Sequence, residues 1–166
     1  MKGPTYTTNQ TARGPQAPNR SFENQDDETK EILARIEKCK NLAEISIEDI
    51  AKKFGIAETL ALKFQKNLKI TQLRKFFDKV VSNQENLKNK GWKSIEADFY
   101  MIRPNLAYAK GRRLIPDDFF NLISICLDRI APAGSTEDQI RENYTRFVQL
   151  LQSLVAYSKC YEKRSG

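Results

Sequence analysis

The sequence predicts an all-α protein, a compact bundle of five or six helices with a disordered N-terminal tail, and three observations carry that expectation. Apolar residues recur at steps of three and four along most of the chain after residue 27. No stretch alternates with period two for long enough to argue for a strand, and the periodic segments are separated by helix caps and stops. The chain of 166 residues is long enough for one domain with a real core, so the expected division is a tail over 1–27 and a single helical domain over 28–166.

Residues 1–27 are rich in Thr, Asn, Gln, Pro and Gly and show no periodicity, the composition of a flexible tail. Asp27 or Thr29 is then placed to cap a short amphipathic helix with Ile32, Ile36 and Cys39 on one face. Residues 46–66 have the outline of a helix-turn-helix: Ser46 and Asp49 in a capping arrangement, Gly55 ending one helix, Glu58 and Thr59 opening the next. A DNA reader presents polar or basic side chains at the start of its second helix. Here that helix opens on Glu58 and continues through Leu60, Ala61, Leu62 and Phe64, so a plain helical hairpin is the favoured reading and a DNA-binding regulator using residues 46–66 the alternative.

Thr71 is a good N-cap for a helix in which Leu73, Phe76, Phe77 and Val80 form one apolar stripe. Lys75 and Lys79 share another face, and Arg74 precedes Asp78 by four residues, an orientation worth at most about half a kcal/mol. Residues 84–90 read as a polar connection closed by Gly91. Trp92, Ile95, Phe99, Ile102, Leu106 and Ala109 then form a helical seam over five turns, interrupted by Pro104, which is expected to kink it. Gly111 sits where a left-handed cap belongs, with Arg112 and Arg113 following where cations meet the negative end of the helix dipole. Tyr100 and Tyr108 are open to two readings, stacking on bases or core packing with a wet hydroxyl.

After Pro116, Asp117 and Asp118 look like first-turn acids of a helix with Phe119, Phe120, Ile123, Leu127 and Ile130 on one side. Ser135 or Thr136 caps the last helix, whose seam of Ile140, Tyr144, Phe147, Leu151 and Leu154 is flanked by Val148, Val155 and Tyr157. That face is wider than one partner helix needs, so several helices or a second subunit should cover it.

The charge of +7 is local. Residues 63–115 carry thirteen Lys and Arg against Asp78, Glu85, Glu96 and Asp98, a net of plus nine, while every other part of the chain is within one unit of neutral. A local basic field is what phosphate neutralisation requires, so a polyanion partner is expected. Histidine is absent, which removes His-based acid–base catalysis, Ser-His and Cys-His nucleophile pairs and histidine metal ligands. The seven glycines are scattered and form no phosphate cradle, and Cys39, Cys126 and Cys160 have no spacing that suggests a disulfide framework or zinc site. An enzyme could still be built from carboxylates and lysines, but Asp26-Asp27 and Asp117-Asp118 are adjacent in sequence and point about 100° apart on a helix, so helix capping is favoured over catalysis and no cofactor or metal is expected. No apolar run approaches the roughly 20 residues that span a bilayer, and the N-terminus lacks a signal-peptide core, so a cytoplasmic protein without a membrane partner is expected.

Three blocks carry a resemblance: residues 70–78 (ITQLRKFFD), residues 103–112 (RPNLAYAKGR) and residues 147–157 (FVQLLQSLVAY). In that order and at that spacing they resemble the small subunit of type III-A CRISPR effector complexes, the Csm small-subunit family, over roughly residues 69–161. The resemblance implies a non-catalytic, RNA-binding small subunit of an antiviral ribonucleoprotein. Copies stack beside the repeated backbone subunits and the large polymerase-like subunit, lining the channel that holds guide RNA paired to target RNA. The implied partners are guide RNA, target RNA, those other Csm subunits and a further copy of the chain itself. Arg74, Lys75, Arg103, Lys110 and Arg112 fall on matching basic positions, and local charge and helical face add Lys79, Lys93 and Arg113. The block at 147–157 is expected to serve core and subunit contact.

Overall fold

A computed structural model describes residues 22–162, and every regular element among them is helical. Six helices have nine residues or more: α1 (Phe22–Lys38), α3 (Ile56–Phe64), α4 (Ile70–Lys90), α5 (Glu96–Gly111), α6 (Asp117–Asp128) and α7 (Glu137–Tyr161). The five-residue α2 (Ile47–Ala51) and 3-10 turns at Leu42–Glu44 and Trp92–Ser94 complete the set. Residues 1–21, most of the expected tail, lie outside the described residues.

The first helix starts earlier than the sequence suggests. Residues 22–27, expected in the tail, open α1, and Thr29, expected as a cap, lies inside the helix. There it is buried, and its hydroxyl donates to the Gln25 carbonyl at 2.7 Å, one turn back, which removes its polar group from competition with the helix.

The longest helix, α7, is the axis of the bundle. A capping box starts it: Gln139 N–H donates to the Thr136 hydroxyl at 3.2 Å and Thr136 N–H to the Gln139 side chain at 3.0 Å. Its 25 residues run about 37 Å and pack against α2, α3, α4 and the turn at Leu42–Glu44. The wide apolar face is thus covered by several helices of the same chain. Buried Asn143 satisfies its whole amide here, donating to Ile130 O at 3.0 Å and Asn41 Oδ1 at 3.1 Å and accepting from Ala43 N at 3.0 Å. Tyr144 donates its hydroxyl to the Val80 carbonyl at 3.1 Å, and burial pushes its pKa up.

Aromatic rings link the layers, tilted at 54° between Phe99 and Tyr144 and edge to face in the other pairs. Phe99 of α5 meets Tyr144, Tyr144 meets Phe147, Phe147 meets Phe76 of α4, and Phe76 meets Phe119 of α6, with centroids 5.9–6.5 Å apart. Such pairs favour offset or perpendicular geometry and add about 0.5–1.5 kcal/mol each beyond area burial.

Two expectations fail at α4. Lys69, not Thr71, is its N-cap, and the helix does not stop before residue 84. The expected polar connection is its last two turns, because Leu73, Val80 and Leu87 continue one buried line at sevenfold spacing and the amides of Asn83 and Gln84 are buried beside it. The helix-turn-helix alternative also fails. Of the nine residues of α3, all but Lys63 are buried, so no face of it is open to a DNA groove. Glu58, in the first turn of that helix, is itself buried, accepting the Phe54 N–H and the Tyr161 hydroxyl.

Candidate nucleic-acid interface

The basic segment folds into α4, the Trp92–Ser94 turn and α5. The core seam of α5 is as expected, with Ile95, Phe99, Ile102 and Leu106 buried. The helix runs on through exposed Pro104, whose missing N–H deprives only the Tyr100 carbonyl one turn back. Its end differs from expectation. Gly111 is a right-handed helical residue, and Arg113 takes the left-handed position at φ 59°. Arg113 N–H donates to Lys110 O at 2.9 Å and Leu114 N–H to Ala109 O at 3.0 Å, the paired bonds of a Schellman cap. A left-handed non-glycine residue is costly, of order 1–2 kcal/mol, and here it holds an exposed guanidinium beyond the helix end.

Ion pairs sort twelve of the thirteen cations, all but Lys66, into two groups. Arg103 donates to the Ser124 carbonyl at 3.0 Å and pairs with Asp128, and Lys110 lies 3.7 Å from Asp117 and 4.8 Å from the Phe120 ring centroid. Both therefore fasten α5 to α6. Lys63 bridges Asp26 of α1 and Asp118 of α6, and Lys93 lies 3.4 Å from Glu96 although its side chain is 92% exposed. Among the described residues, Lys69, Arg74, Lys75, Lys79, Lys88, Lys90, Arg112 and Arg113 are exposed and have no carboxylate within 4 Å. Five of the eight residues expected at the site are in this unpaired group, and three are held by acids.

The structure brings Lys75, Lys79 and Arg112 together. They stand around a groove of about 400 Å³ between α4 and α5, two helices joined by the Trp92–Ser94 turn and splayed beyond it. Phe76, Ile102, Leu106 and Phe119 form its floor, Gln72, Asn105 and Tyr108 its walls, and no acidic residue lines it. The Tyr108 ring is 68% exposed, with the Arg112 guanidinium 5.7 Å from its centroid. Tyr100 is 60% exposed, so neither tyrosine is a core residue.

The sequence reading missed Gln72 and Asn105, although each lies within one of the blocks that carry the resemblance, at 70–78 and 103–112. It also missed Lys88 and Lys90, hidden in the presumed connection, and Lys69 at the helix start. The arrangement can neutralise phosphates along α4 and at the α5 terminus, with no sequence-reading element in a groove-fitting position.

Among the described residues, no helix is long and apolar enough to cross a membrane. A family model described as Csm2 Type III-A matches residues 47–164. No curated protein and no solved structure matches the chain.

Proposed function

The chain belongs to the type III-A Csm2 family and is a small subunit of the type III-A Csm complex, within which we propose that it clamps the backbone of the guide RNA and its target RNA. The observation that carries this reading is the set of eight unpaired cations on α4 and at the end of α5. Lys and Arg at these positions contact phosphates and 2′-hydroxyls of the hybrid, while base pairing between the strands supplies sequence selection. The chain contributes no catalysis, and its partners are the two RNA strands, the backbone subunit, the large polymerase-like subunit and neighbouring copies of itself. The compartment is the cytoplasm.

A salt titration of the full-length protein against labelled single-stranded RNA, an RNA duplex and a DNA duplex, read by fluorescence anisotropy, tests this. RNA affinity should fall steeply with salt and ignore sequence. The triple change Lys75→Glu, Lys79→Glu and Arg112→Glu should flatten the log-log slope by roughly two to three units, a little under one per lost phosphate contact. Selective binding of one DNA sequence, or an unchanged slope in the triple variant, would sink the clamp.

A further inference from the structure

We propose that the α4–α5 groove holds one unpaired RNA base, so that the surface clamps backbone on both sides of a nucleotide turned out of the helix. This rests on the clamping reading and adds a ligand position to it. Backbone neutralisation alone needs only exposed cations, as at Lys88 and Lys90. The groove offers more. Its floor is apolar, with Phe76, Ile102, Leu106 and Phe119 facing a space of about 400 Å³, inside the roughly 300–1,000 Å³ range of small-ligand pockets. The exposed Tyr108 ring supplies a stacking face at its mouth.

The amides of Gln72 and Asn105 each carry donors and an acceptor, and no other side-chain or backbone group among the described residues hydrogen-bonds to either. They are free to meet the edge of a base. The rim is cationic on both sides, Lys75 and Lys79 from α4 and Arg112 from α5, with no carboxylate to repel a phosphate. An apolar floor, an aromatic wall, unpaired amides and a purely positive rim together match a nucleotide: a flat ring, hydrogen-bonding edges and a negative backbone. A base within a pair presents only its edges in the grooves, so the occupant must be unpaired.

The test uses the full-length chain and three RNA duplexes with the same number of base pairs: fully paired, with a single-nucleotide bulge, and with the same bulge lacking its base, the last two equal in charge. The bulged duplex should bind about tenfold more tightly than both others, the scale of one stacked base. A bulged 2-aminopurine should lose fluorescence on binding. The double variant Asn105→Ala and Tyr108→Ala, both at exposed positions, should abolish that tenfold gain, with circular dichroism confirming the fold. Equal affinity for the bulge with and without its base would overturn the base site and leave the clamp standing. Absence of binding to every duplex at low salt would overturn both.

Discussion

The carboxylate of Glu137 accepts the backbone N–H of Trp92 at 2.7 Å, joining the first turn of α7 to the turn from which α5 springs. The residue before Trp92 is Gly91, at φ +85°, and a Cβ there would lie 2.7 Å from that same Glu137 oxygen. Conformation favours glycine here, and a Cβ would also push the Glu137 side chain aside. Gly91→Ala should therefore cost at least about 1 kcal/mol from backbone strain alone, with more from displacing the carboxylate. Urea unfolding of the variant measures this, and a change within error would show that the turn adapts freely.

Acid should loosen the same junction. The Trp92 N–H, and secondarily Arg141, hold the Glu137 carboxyl below the ordinary value of 4.5. Asp49 is depressed in the same direction by Lys52, Arg35 and Ser46. A carboxyl with a lowered folded-state pKa contributes stability that is complete above its unfolded value and is lost as pH falls toward the folded one. The melting temperature should thus be level above about pH 5 and fall below it. Glu137→Gln, which keeps an acceptor for Trp92, should make that fall shallower. An acid limb identical to that of the parent protein would mean the contact is not formed in solution.

The bundle was legible because its helices bury apolar residues at helical spacing, and α5, α6 and α7 lie close to where that spacing puts them. The second half of α4 was hidden by its own core face, where Asn83 and Gln84 stand between Val80 and Leu87 and dilute the apolar signal. The site was legible to the extent that charge is local. Lys75 and Lys79 one turn apart on α4 and Arg112 at a helix end could be found by counting. What local spacing does not contain is the position of α6, which brings Asp128 to Arg103 and Asp117 to Lys110 across 25 and 7 residues. The left-handed cap at Arg113 was hidden for a different reason: Gly111, two residues earlier, is the better candidate on intrinsic preference.

That cap yields a prediction in which stability and binding move in opposite directions. Arg113→Gly relieves the left-handed strain and should raise stability by about 0.5–1 kcal/mol in urea unfolding. It also removes one of the unpaired cations, so the salt slope of RNA binding should fall by a little under one unit. Loss of both stability and affinity would indicate that the guanidinium makes a contact that holds the α5 terminus in place.

Arg103 and Arg112 provide the sharpest contrast, because both lie in the same basic block and differ only in what surrounds them. Arg103 is half exposed and spends its guanidinium on Asp128 and the Ser124 carbonyl, so its role is to fasten α5 to α6. Arg103→Ala should cost no more than about 1 kcal/mol of stability, as expected for an exposed ion pair, and leave the salt slope unchanged. Arg112 has no acidic neighbour and faces the groove beside Tyr108. Arg112→Ala should leave unfolding within about 0.5 kcal/mol of the parent, as for a surface change, yet reduce the slope by nearly one unit. Anisotropy titrations at several salt concentrations beside urea curves give both numbers for each variant. If the two substitutions shifted the slope equally, the ion pair with Asp128 would have to open when RNA binds, and Arg103 would join the unpaired cations at the interface.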